Sequence, residues 1–315
     1  MLTPDTVYAL DTDWIITGED PVFSSPAVDG NIVYFGDANY LNAFSTVTGK
    51  VVWAYPTGTL IDSSPAVANG MVYVGSRDDS VYAFSAKTGA LAWSVATGNQ
   101  VFSSPTVANG TVYIGSYDKK LYALNAKTGA TLWTATTGGV ICSSPAVANG
   151  VVYVGSTDDK IYAYSAASGY PLWSVTTGNM VVSSPAVAYG IVYVGSGDGK
   201  LYALNARTGA TVWTATTSGA VDSAAVAAGV VYAGSGDGNL YAFDALGGSV
   251  LWSAYTGNGV DTRAAIANGQ VFVGAGNSRL YAFALNAGTN AVYHRDTTAP
   301  SVRMLRPNPS LSITH

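Results

Sequence analysis

The chain has 315 residues, of which 48% are hydrophobic and only 10% are charged, with a formal net charge of -5. Low charge and the lack of a Lys/Arg cluster remove the counterion release that drives nucleic-acid binding, so no nucleic-acid partner is expected. The chain lacks an apolar run of roughly 18 to 20 residues, and its start lacks the basic and apolar segments of a signal peptide, so we expect no membrane insertion. Cys142 is the single cysteine, which excludes intramolecular disulfides and multi-cysteine metal sites and favours a packing role for this residue.

Two markers repeat along the chain at intervals of 39 or 40 residues. One is a Ser-Ser-Pro segment, whose proline is replaced by Ala224 and Ala264 in the last two repeats. The other is a tryptophan, and it accounts for every tryptophan in the chain. A period near 40 with short β-type runs is typical of a β-propeller. The tryptophans are Trp14, Trp53, Trp93, Trp133, Trp173, Trp213 and Trp252.

Each repeat contains four short runs that predict strands A to D, for example SSPAVA, MVYVGS, SVYAFSA and ALAWSVAT. The A and B strands are separated by Asn-Gly, or by Asp29-Gly30 in the first repeat, which predicts tight antiparallel hairpins. The B and C strands are separated by Gly-Ser-x-Asp or a variant of it. Aspartate is favoured in such turns for local hydrogen bonding, and these turns lack the alternating oxygen ligands of a calcium loop. The aspartates are Asp78, Asp118, Asp158, Asp198 and Asp237.

Between strands C and D, each repeat has a glycine four residues before its tryptophan, as in Gly89 and Trp93. Glycine permits a turn with positive φ and leaves room for an indole ring to lie flat on bare backbone. We therefore predict that each tryptophan fastens neighbouring sheets together, a structural role.

The sequence predicts an all-β fold, a seven-bladed β-propeller of four-stranded antiparallel blades, over residues 1–293. Residues 286–293 make a poor fourth strand, whereas residues 11–18 read as a spare one, so the N-terminal strand is expected to close the last blade. Eight blades are the alternative, although an eighth SSPAV-type segment is lacking. Residues 294–315 are linker-like and suggest one part of a longer protein. The repeats lie near 24–62, 63–102, 103–142, 143–182, 183–221, 222–261 and 262–293.

The segments Ser-Pro-Ala-Val-Ala-Asn-Gly, Val-Tyr-Val-Gly-Ser, Leu-Tyr-Ala-Leu-Asn-Ala and Thr-Gly-x-x-x-Trp resemble the PQQ-like β-propeller repeat family over about residues 8 to 293. The stretch from an alanine of strand C to the tryptophan of strand D, for example from Ala83 to Trp93, resembles that family's tryptophan-docking motif. The resemblance implies the propeller fold and leaves several functions open. The family includes quinoprotein dehydrogenases that use pyrroloquinoline quinone with calcium, BamB-like outer-membrane assembly scaffolds, and sensor or surface domains.

The residues argue against catalysis. Blades of nearly constant length offer little from which to build a quinone pocket, and Glu19 is the single glutamate. The only histidines, His294 and His315, lie in the tail, which excludes a Ser-His-acid triad inside the ring. We therefore predict no enzyme and no catalytic, cofactor-binding or metal-binding residues, with a quinone-dependent dehydrogenase as the alternative.

The segments before strand A are expected to surround the mouth of the central channel, where a ligand would bind. Most repeats have two serines directly before the proline, which we call the first-serine and second-serine positions. Counted back from the proline position, Asp222 occupies the first-serine position of its repeat and Arg263 the second-serine position of the next. Asp261 shares the position of Asp62, and we expect Asp222, Asp261 and Arg263 to cluster, either as an ion pair or as an anchor for a polar ligand. The candidate site is Asp62, Asp222, Asp261, Arg263, Ser63, Ser103, Ser143 and Ser183.

These observations favour a non-catalytic binding or protein-interaction scaffold of the cell surface or periplasm, since the chain is poor in charge and thiols and rich in Gly, Ser, Thr and Tyr. The expected partner is a protein or peptide, or a small polar ligand at the channel mouth, and the expected state is a monomer. A BamB-like envelope assembly factor is a further alternative.

Overall fold

The computed structural model describes residues 22, 24–267 and 269–284, and within them 27 strands form seven antiparallel sheets. Six sheets have four strands in chain order, and the seventh has three described strands. The fold is the predicted all-β, seven-bladed propeller. Among the described residues there is no helix long and apolar enough to cross a membrane. The strand predicted at 11–18, Trp14, Glu19, the fourth strand predicted at 286–293 and the tail with both histidines lie outside the described residues.

The blades follow one another along the chain, each running from strand A next to the channel to strand D at the circumference. Blades 1 to 4 are β1 (Ala27–Asp29), β2 (Ile32–Gly36), β3 (Tyr40–Ser45), β4 (Val51–Pro56); β5 (Ala66–Ala68), β6 (Met71–Gly75), β7 (Ser80–Ser85), β8 (Leu91–Ala96); β9 (Thr106–Ala108), β10 (Thr111–Gly115), β11 (Lys120–Asn125), β12 (Thr131–Thr136); β13 (Ala146–Ala148), β14 (Val151–Ser156), β15 (Lys160–Ser165), β16 (Pro171–Thr176). Blades 5 to 7 are β17 (Ala186–Ala188), β18 (Ile191–Gly195), β19 (Lys200–Asn205), β20 (Thr211–Thr216); β21 (Ala225–Ala227), β22 (Val230–Gly234), β23 (Asn239–Asp244), β24 (Val250–Tyr255); β25 (Ala265–Ala267), β26 (Gln270–Ala275), β27 (Arg279–Ala284).

Strand A is shorter than the sequence predicts, because only the three residues after the Ser-Ser-Pro segment pair with strand B. In blade 2, Ala66 pairs with Tyr73 and Ala68 with Met71. Pro65 has no N–H to donate to a ladder, and the N–H of Ser64 is directed to the next blade. The serines therefore belong to an inter-blade connection and not to the sheet.

The predicted A–B hairpin turns form, with one correction. Asn69 and Gly70 both have positive φ, 52° and 73°, as the turn requires. In blade 1 the predicted Asp29-Gly30 turn is wrong by one residue: Asp29 pairs with Ile32 as the last residue of β1, and the turn consists of Gly30 and Asn31. The equivalent Asn268 lies outside the described residues.

Tryptophans of strand D fasten each blade to the next. The indole N–H of Trp93 donates to the carbonyl oxygen of Ala126 in blade 3 at 3.0 Å, and the Tyr73 hydroxyl donates to the same oxygen at 3.1 Å. Gly129, with φ +74°, lies directly against the Trp93 ring. At each of the first five blade junctions, the tryptophan indole N–H donates to the equivalent alanine carbonyl oxygen of the next blade. This repeated contact makes the ring a rigid support for its loops.

Candidate functional site

The loops from strand D to the next strand A and the B–C turns share one side of the ring, which we call the mouth face. The A–B and C–D turns share the opposite side, which we call the turn face. All eight residues of the predicted site lie in the D-to-A loops of the mouth face.

The first serine of each pair is buried and supports its own blade. Ser63, Ser103 and Ser143 have no exposed surface, and Ser183 is 1% exposed. The Ser63 hydroxyl accepts the N–H of Gly75 at 3.0 Å, and that of Ser183 donates to the carbonyl oxygen of Gly195 at 2.6 Å. A ligand at the mouth has no surface of these four serines to contact.

The second serines form a chain of hydrogen bonds from blade to blade, which we call the serine belt. The N–H of each donates to the hydroxyl oxygen of the next, at 2.8 to 3.0 Å. Both partners are neutral and satisfied, so the belt is a structural link between blades. Its members are Ser25, Ser64, Ser104, Ser144, Ser184 and Ser223.

The serine belt stops at blade 7, where Arg263 stands in the place of the seventh serine. Thr262 fills the first-serine position, since its hydroxyl exchanges hydrogen bonds with Gly274 at 2.8 and 3.0 Å. The N–H of Ser223, left without a hydroxyl in blade 7, donates to Asp222 Oδ1 at 2.5 Å. Arg263 makes no hydrogen bond or ion pair with any residue that the structure describes.

The Arg263 side chain is exposed, yet desolvation by the surrounding protein lowers the pKa of its guanidinium. The two facts are compatible on a concave surface, where water reaches the group while protein atoms lie on several sides of it. A guanidinium in this setting, without a paired carboxylate, is a donor group for an anion.

One residue of each D-to-A loop follows a buried valine or isoleucine, and these residues form what we call the mouth column. Val181 and Val221 are equivalent buried residues, because their N–H groups donate to Ser156 and Ser196 at 3.0 and 3.1 Å. The residue after Val221 is Asp222, so Asp222 belongs to the mouth column and not to the first-serine position predicted from the proline. The column is Asp62, Phe102, Cys142, Val182, Asp222 and Asp261.

A deletion of the first serine in blade 6 causes this shift. The backbone N–H of Asp222 donates directly to the carbonyl oxygen of Gly234 at 3.0 Å, the strand B position that Ser183 contacts through its hydroxyl in blade 5. Blade 6 therefore keeps its connection to strand B while losing one residue.

Asp222 and Asp261 lie in neighbouring blades and interact as like charges. Burial raises the pKa of Asp222, and the charge of Asp261 raises it further, while hydrogen bonds from Ser223 act in the opposite direction. The two carboxylates are therefore near enough for their charges to interact. Arg263 does not form the predicted ion pair with either of them, because neither carboxylate lies within 4.0 Å of its guanidinium nitrogens.

Asp62 is engaged elsewhere. It forms a two-point salt bridge with Arg77 of the same blade, at 2.5 and 3.1 Å. The Arg77 guanidinium lies 4.6 Å from the centre of the Phe102 ring, which stacks on Tyr117 at 4.4 Å. Tyr117 in turn interacts with Cys142 of blade 4, whose thiol pKa is raised by burial. The mouth column is therefore aromatic and apolar over blades 3 to 5 and acidic over blades 6 and 7.

Four of the five B–C turn aspartates, all but Asp78, accept a hydrogen bond from the loop that precedes their blade. Asp198 Oδ2 accepts the Tyr202 hydroxyl at 2.6 Å and the N–H of Gly178 in the preceding loop at 2.9 Å, and Oδ1 accepts the N–H of Lys200 at 3.0 Å. Partial burial raises the pKa of Asp198, but these hydrogen bonds lower it by more. Each of the five carboxylates accepts a tyrosine hydroxyl of its own blade, although Asp78 Oδ1 and Asp158 Oδ1 are buried without a hydrogen-bond partner among the described residues.

The described residues do not fit a calcium-dependent quinone site. No group of three or more His, Cys, Asp or Glu side chains among them is arranged to hold a metal ion. The B–C turn carboxylates accept hydrogen bonds from the protein, and Asp62 is paired with Arg77.

The two kinds of carboxylate predict opposite effects of neutralisation. At pH 7, Asp198→Asn is expected to lower the free energy of unfolding, because the native state stabilises this carboxylate and depresses its pKa. Asp222→Asn is expected to raise it, because burial and Asp261 penalise the charged form. Urea denaturation at a series of pH values measures both.

The pH dependence distinguishes the two variants from general effects of substitution. The Asp198 contribution is present above the ordinary aspartate pKa of 3.8 and is lost as the pH falls through its lower native value. The Asp222 penalty is absent below 3.8 and grows as the pH rises through its higher native value. Differences that persist unchanged at acid pH would contradict this assignment.

Comparison with known proteins agrees with this architecture. Residues 37–141 and 135–313 match the model of a family described as outer membrane protein assembly factor BamB. The chain belongs to this family. It therefore carries PQQ-like repeats, as the sequence motifs predict. No curated protein matches the chain in sequence.

Two solved structures share the fold. BamB from Moraxella catarrhalis matches with a TM-score of 0.77 at 19% identity, covering 86% of this chain and 88% of that one. The computationally designed Ika8 protein matches with a TM-score of 0.76 at 19% identity, covering 83% of each chain. At this identity, the likeness concerns the fold alone, so the mouth-face residues carry the functional argument.

Proposed function

We propose that the chain is a non-catalytic protein-interaction scaffold of the cell envelope, at the cell surface or in the periplasm. In this proposal a protein or peptide partner binds at the mouth face beside Asp222, Asp261 and Arg263, and the propeller acts as a monomer. The observation that carries the proposal is the replacement of the seventh belt serine by Arg263, an exposed and desolvated cation with no ion-pair partner among the described residues.

Three further features support an interaction surface. The mouth column changes from apolar and aromatic residues in blades 3 to 5 to carboxylates in blades 6 and 7. Val182, in the apolar part, is 46% exposed. An exposed surface with apolar, acidic and cationic parts is suited to a peptide segment that carries both charges and an apolar side chain. Membership in a family named for an assembly factor favours the same class of function.

The Arg263→Ser variant tests the proposal. Serine is the residue of the six other belt positions, so the fold should be retained and the N–H of Ser223 should gain a hydroxyl acceptor. We expect proteins captured from envelope extract by the immobilised wild-type chain to be retained at least roughly tenfold less by the variant, since removing a central charged contact typically costs about 2 kcal/mol or more. Quantitative mass spectrometry of the eluates measures this.

The matched control is Arg207→Ala, which removes an exposed arginine from the turn face, with capture from a lipid-free extract so that only protein partners are compared. Capture by this variant should equal that by the wild type. Equal capture by Arg263→Ser would contradict the proposal. A thermal shift or dye reduction on addition of pyrroloquinoline quinone and calcium would instead favour the dehydrogenase alternative.

A further inference from the structure

The turn face is a rigid and continuous layer. In each of the first six blades, the C–D turn donates a backbone hydrogen bond to the A–B turn, for example from Ala86 N to the Gly70 oxygen at 2.9 Å. The tryptophan of the preceding blade is bonded to the same C–D turn through the Ala86 oxygen. Side chains at the tips of these turns are therefore displayed together on one side of the ring.

Cations outnumber carboxylates on the described part of this face, and three of its four cations lie in blades 1 to 3. Four exposed cations stand on the C–D turns, and none of them pairs with a carboxylate of a described residue. Among the described residues, only Asp29 and Asp244 oppose them on the turn face, while the B–C turn aspartates and the mouth-column carboxylates lie on the opposite face. The described part of the turn face is thus positive although the chain as a whole is negative. The four cations are Lys50, Lys87, Lys127 and Arg207.

Large apolar side chains are exposed on the same face in blades 4 to 6. Tyr170 is 69%, Tyr189 59% and Leu246 64% exposed. Other blades have Lys50, Ser249 or an alanine at the place of Tyr170, and Lys87, Lys127, Ala167, Arg207 or the 65% exposed Val47 at that of Leu246. The two tyrosines are therefore departures from the repeat, like Arg263 on the mouth face, while Leu246 shares an exposed apolar position with Val47 of blade 1.

Tyr189 occupies its turn against a conformational preference. Its φ is +55°, where asparagine stands in blades 2, 3 and 4 and where a bulky side chain is disfavoured. Its hydroxyl accepts the N–H of Gly229 in the next A–B turn at 2.9 Å. This bond holds the tyrosine at the surface in a fixed position.

We propose that the turn face docks on an anionic lipid surface, with the cations of blades 1 to 3 and Arg207 facing headgroups and the apolar residues of blades 4 to 6 at headgroup level. The contacting residues are spread over six blades and not gathered in a groove, so a flat, extended partner is needed to meet them together. Tyrosine favours the membrane interface, and lysine and arginine are attracted by anionic lipid. The mouth face would then point away from the membrane, toward soluble partners.

Vesicle co-sedimentation of the full chain tests the proposal. The wild type should bind vesicles of phosphatidylcholine mixed with phosphatidylglycerol, less so in high salt, and bind phosphatidylcholine vesicles much less. Lys87→Ala combined with Lys127→Ala should lower the partition coefficient by roughly tenfold or more, since each cation near such a surface contributes appreciably. Tyr170→Ala, Tyr189→Asn and Leu246→Ala together should also lower it severalfold. Each substitution installs a residue that another blade carries there.

The control variant carries Lys119→Gly and Lys160→Ser. Each substitution replaces a mouth-face lysine by the residue that another blade has at the equivalent position. This variant changes the net charge as much as the lysine pair of the turn face does, and vesicle binding should be unchanged. Absence of wild-type binding to anionic vesicles overturns the proposal. So does an equal loss in the control, or binding of soluble polyglutamate without binding of vesicles, which would indicate an acidic protein partner.

Discussion

Gly129→Ala is expected to destabilise the protein by about 3 kcal/mol, a large effect for one methyl group. Part of the cost is conformational, because Gly129 has φ +74°, a region that alanine disfavours. The other part is a collision, since the added Cβ would lie 2.8 to 3.0 Å from three atoms of the Trp93 ring. Urea denaturation followed by tryptophan fluorescence measures the change.

Gly110 of the same blade provides the matched control. Its φ is also +74°, but an added Cβ would have nothing within 4 Å. Gly110→Ala should therefore show the conformational cost alone, about 1 kcal/mol. If the two variants are equally destabilised, the indole contact contributes nothing and the role assigned to the tryptophans is wrong.

Most of the fold can be predicted from the sequence, because each repeat contains residues that determine its own turns and strands. Asn69-Gly70 specifies its own turn, and the alternating Val and Tyr of MVYVGS specify its strand. Seven copies of this repeat can bury the apolar faces of their sheets by packing side by side, and few other arrangements do so. The Asp29-Gly30 turn was assigned wrongly because both Asp-Gly and the observed Gly30-Asn31 are good turn pairs, and only the ladder from Asp29 to Ile32 decides between them.

The candidate site is harder to predict, because its geometry depends on the neighbouring blade. Nothing local in Ser64 shows that its N–H bonds to a serine 40 residues away, or that Ser63 is fully buried beside it. Counting back from the proline position misplaces Asp222, because blade 6 is one residue short and the count does not show whether the missing residue lies before or after Asp222. The constant distance of eight residues from Trp213 to Val221, equal to that from Trp173 to Val181, is the signal that places it.

Trp93→Ala is the second large effect that we expect, about 3 to 5 kcal/mol of lost stability. The ring is 8% exposed, packs on Tyr73 at 5.8 Å and donates to the Ala126 oxygen at 3.0 Å. Trp93→Phe keeps an aromatic ring but loses the N–H donor and part of the buried indole volume, while Tyr73 still satisfies the carbonyl, so a smaller cost of about 2 kcal/mol is expected.

The double variant decides whether the indole and the glycine act as one unit. In a Trp93→Ala background there is no ring for an added methyl group to strike, so Gly129→Ala should cost only about 1 kcal/mol, as Gly110→Ala does. The coupling energy of the cycle is then about 2 kcal/mol, within the range for contacting residues. Additive effects would show that Gly129 is required by its φ alone. Coupling would show that close approach of an indole to bare backbone joins each blade to the next, and hence holds the mouth and turn faces in fixed positions.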